Sequence, residues 1–183
     1  MEVLNDNKAQ DIVIFYIRHG EDKITKHKLD HHLTSQGKKN AKTLAKKLTK
    51  KHGVPNIIYC SPFYRTIKTA NEMKRALKSI GVKDVEIKID IRIGRYFSKK
   101  ERKHGRESDI SSATVDNGAI TSDDWNQFKS RVSAQLTAVK ENKKGYKVVW
   151  NITHAIVLNQ IAKFEHIKKG HNVNYLETLQ LPS

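Results

Sequence analysis

A single cysteine, Cys60, three prolines and nine glycines stand among 183 residues. One thiol cannot close an intrachain disulfide, so a disulfide-stapled secreted scaffold is excluded and a reducing compartment is expected. So little proline and glycine also excludes a collagen-like or low-complexity chain. The longest early apolar run, Ile12 to Ile17, is closed by Arg18, far short of the ~20 residues that span a bilayer. The first residues, Met1-Glu-Val-Leu-Asn-Asp-Asn7, carry two acids and no apolar stretch, which fits no signal peptide. A cytoplasmic protein without a membrane span is therefore expected.

Acidic residues are scarce too: 19 Asp plus Glu face 35 Lys plus Arg, a formal net charge of +16. An excess of that size points to nucleic acid, an acidic membrane surface or phosphorylated substrates, or to solubility alone. Apolar residues make up 37% of the chain, enough for one packed core. A single domain over 1–183 is expected, with residues 1–11 as a flexible N-terminus.

What is present is an alternation of two periods. Ile12-Val-Ile-Phe-Tyr-Ile17 is β-branched and aromatic throughout, as a strand buried on both faces should be. Over 34–53, Ala41, Leu44, Ala45 and Leu48 recur at helical spacing between lysines, with Thr34 or Ser35 as cap and Gly53 as stop. A strand over 56–60, a helix from Pro62 to Gly81 and an alternating, edge-like strand over 85–91 follow. Residues 92–122 show neither period and form a long basic loop, a length that is usually functional. A helix from Asp123 or Asp124 to Gly145, a strand over 147–152, a helix over 155–166 and a last strand over 173–181 complete the chain. This order predicts a three-layer α/β/α sandwich with a mostly parallel central sheet and right-handed crossovers. In such sheets ligands bind beyond the carboxyl ends of the strands.

Three strand ends carry the chemistry: Arg18-His19-Gly20-Glu21, Ser61-Pro-Phe-Tyr-Arg65-Thr66, and Thr153-His154-Ala155. Guanidiniums hold phosphoryl oxygens in bidentate fashion, and a neutral imidazole is a competent nucleophile toward phosphorus. Gly20 lets the backbone turn close to an anion.

These residues lie in four blocks: Phe15-Tyr-Ile-Arg-His-Gly-Glu21, Leu29-Asp-His-His-Leu-Thr-Ser-Gln-Gly37, Cys60-Ser-Pro-Phe-Tyr-Arg-Thr-Ile-Lys-Thr-Ala70 and Val148-Val-Trp-Asn-Ile-Thr-His154. In order and spacing the chain resembles the histidine phosphatase superfamily, also called phosphoglycerate-mutase-like, from residue 12 to about 165. The resemblance implies that His19 becomes phosphorylated, that Arg18 and Arg65 bind phosphate, and that His154 contacts the transferred group. It implies a two-step reaction through a phosphohistidine, with no metal and no cofactor.

The match fails at the general acid. The family's main branch is expected to place a Glu after the third strand, where this chain has Ile93, and the acid-phosphatase branch an Asp after the second histidine, where it has Ala155. The candidates left are Asp90, Glu101, Glu107 and Asp109, with Glu21 beside the nucleophile. General acid help is worth ~10²–10⁴-fold, so its loss favours a phosphatase acting on activated esters or phosphohistidine over a mutase, whose usual chains are also longer.

Other features carry bland readings. His27, His31 and His32 near Asp30 match no closed zinc pattern. Asn151-Ile-Thr153 matches a glycosylation acceptor but falls in a buried strand, and Cys60 reads as apolar filler. The lysines between 38 and 51 read as a solvated helix face. Arg92, Arg95, Lys99, Lys100, Arg102, Lys103 and Arg106 crowd the long loop, where they would steer a multiply charged substrate, either a phosphorylated small molecule or a phosphoprotein. The competing reading is a weakened phosphatase scaffold binding nucleic acid or another acidic partner. Against it, the basic runs lack interleaved aromatics.

Overall fold

The computed structural model describes residues 12–23, 32–98, 123–168 and 173–181. The N-terminal segment 1–11, the candidates Glu101, Glu107 and Asp109, the loop residues from Lys99 to Arg106, and His27, Asp30 and His31 lie outside the described residues.

Strand β1 (Val13–Arg18) is buried because it occupies the interior of a sheet. Its partners are β6 (Val148–Thr153), parallel from Val13 opposite Val148 to Arg18 opposite Thr153, and β7 (Thr178–Gln180), antiparallel. Strand β4 (Ile57–Cys60) lies parallel to β6 on one side and to β5 (Glu86–Ile89) on the other. The order is β5-β4-β6-β1-β7, so only the last strand breaks the parallel arrangement. Two-residue strands β2 (Asp22–Lys23) and β3 (His32–Leu33) form a separate antiparallel ladder.

Successive side chains of a strand face opposite sides, and β1 divides its residues accordingly. Phe15 and Ile17 pack with Ala41, Ala45 and Leu48 of helix α1 (Ser35–His52) and Met73, Ala76 and Leu77 of α2 (Tyr64–Lys78). Ile14 and Tyr16 pack with Phe128, Val132 and Leu136 of α3 (Trp125–Glu141) and Val157, Leu158 and Ile161 of α4 (Ala155–Phe164). This is the three-layer α/β/α architecture. Among the described residues no helix is long and apolar enough to cross a membrane.

Local chemistry sets the element ends. Thr34 caps α1 by accepting from the Gly37 amide, and Gly53 ends it at φ 89°. Asp124 and Gln127 form a capping box at the start of α3. That helix ends earlier than Gly145, because Asn142 adopts the left-handed region at φ 45° and its carboxamide binds both backbone groups of Tyr146. Strand β5 stops at Ile89, short of the expected 91, because Asp90 caps a 3₁₀ turn over Ile91–Ile93. The last strand is likewise only three residues long.

A buried polar chain ties α3 to the central strands. Tyr16 Oη donates to Gln135 Oε1 at 2.6 Å, Gln135 Nε2 to Asn151 Oδ1 at 2.8 Å, and Asn151 Nδ2 to the Phe15 carbonyl at 3.1 Å. Asn151 is fully buried, so its acceptor motif is not open to glycosylation in the folded chain.

Candidate active site

The parallel strands β1, β4 and β6 end on the same rim of the sheet, and each hands its next residues to one cavity of about 490 Å³. Arg18, His19, Asp22, Arg65 and His154 line its polar side; Arg95, Tyr96, Ser98, Trp125, Ala155 and Ile156 line the rest. All four residues singled out from the strand ends therefore meet.

The turn after β1 is held from two directions. The Gly20 amide donates to Thr69 Oγ1 at 2.9 Å, and Thr69 Oγ1 donates to the Arg65 carbonyl at 2.7 Å, linking β1 to the first turns of α2. The Thr34 amide donates to the Glu21 carbonyl at 2.9 Å. Here α1 begins so close that a Cβ at Gly37 would stand 2.3 Å from the Glu21 carbonyl oxygen. Only glycine allows that approach.

His19 and His154 are 4% and 3% exposed, with ring centroids 5.4 Å apart. His19 Nδ1 lies 2.9 Å from the Gly20 carbonyl oxygen, which can only accept, so Nδ1 carries the proton. Nε2 then presents its lone pair to Arg65 Nε, 3.2 Å away. Arg65 Nη2 lies 3.4 Å from His154 Nδ1. A guanidinium has no acceptor, so His154 Nδ1 is the unprotonated nitrogen and Nε2 donates to Ser61 Oγ at 2.8 Å. Ser61 Oγ is in turn 2.9 Å from Thr66 Oγ1, which donates to the carbonyls of Ser61 and Phe63.

Burial, and then the charge of Arg65, holds both imidazoles neutral. The His19 pKa is pushed down to about 3, against a smaller opposing pull from Asp22. His154 lies well below its ordinary value for the same leading causes. Burial likewise pushes the Cys60 thiol up to about 12, in keeping with an inert filler.

Arg18 reaches the site from the end of β1. It donates from Nη1 to the Val173 carbonyl and lies 4.1 Å over the Tyr175 ring, while its buried Nε has no hydrogen-bond partner among the described residues. Arg65 is 4% exposed. One buried and one half-buried guanidinium beside two neutral imidazoles make a site electrostatically suited to an anion.

The acid candidates separate on geometry. Asp90, a sequence candidate, does not line the cavity: both its oxygens accept from Arg92, with the closest contact 2.8 Å, and its Oδ1 caps the 3₁₀ turn. Arg92 is thereby committed and is not a steering residue of the cavity. Glu21 accepts from Thr34 Oγ1 at 2.7 Å and also lies off the lining. Asp22, which sequence reasoning passed over, is on it. Ile93 is fully buried in the core below.

Arg131 of α3 was also missed. It donates to the carbonyls of Arg92 and Gly94 at 2.8 Å each and pairs with Asp123. These bonds hold the segment that carries Arg95 and Tyr96 to the cavity wall.

The family model of the histidine phosphatase superfamily (branch 1) matches residues 14–173. No curated protein sequence matches the chain. Among solved structures, the fold is similar to ecdysone phosphate phosphatase from Bombix mori in complex with tungstate, with a TM-score of 0.70 at 17% identity over 94% of this chain and 90% of that one. Phosphoglycerate mutase from Bacillus anthracis gives a TM-score of 0.65 at 18% identity over 92% and 86%. The protein histidine phosphatase SixA complexed with tungstate gives 0.62 at 16% over 92% and 86%. With residues of three of the four motif blocks meeting at one cavity and the family model matching residues 14–173, the chain belongs to branch 1 of the histidine phosphatase superfamily.

Proposed function

We propose that the protein is a phosphatase that hydrolyses a phosphomonoester or a phosphohistidine, with His19 as the nucleophile. The observation that carries this reading is the state of His19: neutral, with Nδ1 fixed by the Gly20 carbonyl and the Nε2 lone pair directed at Arg65. Arg18 and Arg65 bind the phosphoryl oxygens and offset the charge that builds on them, and His154 contacts the same group.

Nε2 attacks phosphorus, a P–N bond forms and the bond to the leaving group breaks. Water then attacks the phosphohistidine, the P–N bond breaks and its electron pair returns to Nε2. Inorganic phosphate leaves. Solved structures of similar fold include an ecdysone phosphate phosphatase and a protein histidine phosphatase, which supports a substrate that is a phosphorylated small molecule or a phosphoprotein. Arg95 on the cavity wall favours one with further negative charge.

The test is a rapid quench with labelled aryl phosphate. An acid-labile, alkali-stable phosphoenzyme is expected in the wild type and none in His19→Ala; undiminished turnover by a folded His19→Ala protein would overturn the reading.

A further inference from the structure

Among the described residues, Asp22 is the one carboxylate that lines the cavity. The ladder of β2 and β3 sets its direction, since Asp22 stands opposite Leu33 and opposite residues share a face. Its side chain is 11% exposed. Asp22 Oδ2 lies 3.8 Å from Arg65 Nε, the same nitrogen that stands 3.2 Å from His19 Nε2. The carboxylate and the nucleophilic nitrogen therefore flank one guanidinium nitrogen. On the other side stands Tyr175, whose phenol is pushed up by burial and by the nearby Asp22 carboxylate and whose ring lies 4.1 Å from the Arg18 guanidinium carbon and 5.7 Å from the His19 ring. Asp22 thus borders a group seated between the two arginines.

Arg65, 3.8 Å away, faces the Asp22 carboxylate with a positive charge. A phosphate dianion changes that balance. It neutralises Arg65 and sets a like charge beside Asp22, and two such anions share a proton rather than both ionise.

We propose that Asp22 is the proton-transfer residue of this site. The role rests on the His19 phosphatase reading. As Nε2 bonds to phosphorus and the P–O bond to the leaving group breaks, the Asp22 carboxyl gives its proton to the departing oxygen. The resulting carboxylate then takes a proton from the water whose oxygen bonds to phosphorus as the P–N bond breaks. The proton count closes over one cycle, and no acid is required at Ile93 or Ala155.

The experiment measures kcat/KM over a series of phosphate monoesters, from nitrophenyl to simple alkyl, for the wild type, Asp22→Asn and Asp22→Glu, with phosphoenzyme levels followed by rapid quench. The wild type is expected to depend weakly on the leaving group. Asp22→Asn should fall by about 10²–10⁴-fold on alkyl esters and far less on nitrophenyl phosphate, with phosphoenzyme accumulating, and Asp22→Glu should recover part of the alkyl activity. A uniform loss across the series would overturn the proposal and leave Asp22 as a support for Arg65. The wild-type series does not depend on any variant folding: a steep dependence with phosphoenzyme present would overturn the Asp22 role alone. Absence of phosphoenzyme from the wild type would overturn the His19 reading with it.

Discussion

Ser61 Oγ lies 2.8 Å from Nε2 of His154, and this contact decides which nitrogen of that imidazole faces the cavity. Ser61 opens the segment that follows β4 and is fully buried. Its hydroxyl acts through His154 rather than on a substrate, because Ser61 is not on the cavity lining.

Replacing Ser61 with Ala leaves His154 Nε2 without that partner and frees the ring to adopt the other tautomer. A net hydrogen bond is worth about 0.5–1.5 kcal/mol, so kcat/KM should fall by roughly two- to tenfold. Ser61→Thr, which keeps a hydroxyl, should retain more activity. Steady-state kinetics with a thermal melt of each variant separates the loss of orientation from a loss of fold.

Acid should destabilise the fold through the two imidazoles. In the folded chain His19 is pushed from 6.5 down to about 3 and His154 well below its ordinary value, mainly by burial. Between the unfolded and folded values the unfolded chain binds more protons, so stability is full above about pH 6.5 and falls as pH drops below it, by up to ~1.4 kcal/mol per pH unit for each histidine. Urea unfolding at about pH 7 and about pH 5 should show a smaller drop in His19→Gln than in the wild type. An equal drop in both would contradict the burial argument.

Restoring a carboxylate where the family resemblance expects one should fail. Ile93 is fully buried among Phe128, Val132 and their neighbours, not on the cavity. Ile93→Glu places an unpaired acid in that core, and an uncompensated buried charge costs about 3–5 kcal/mol. Denaturant titration should register that loss, with no gain in turnover of alkyl phosphates.

The sequence made the sheet and the strand-end residues legible because both are local properties. β1 and β6 announce themselves as continuous apolar runs, and Arg18, His19 and His154 follow them directly, so a parallel sheet brings them to one rim. The carboxylate on the cavity wall was not legible for a matching reason. Glu21 and Asp22 are adjacent, and which one faces the cavity depends on the two-residue ladder with β3 and on Thr34 capturing Glu21. Asp90 looked promising at the end of a strand, but Arg92 two residues later takes its carboxylate. Tyr175 and Arg131 act through contacts with distant segments, which no local period reveals.

Arg18 donates to the Val173 carbonyl across 155 positions of sequence, and β7 pairs antiparallel with β1 beside it. The rim of the cavity is thus closed by a segment made long after its first arginine. Loop-closure entropy rises only slowly with length, yet it must be met before so distant a contact returns anything. During refolding, the central parallel strands are therefore expected to assemble ahead of the pocket, so that anion binding appears as one of the last properties the chain acquires.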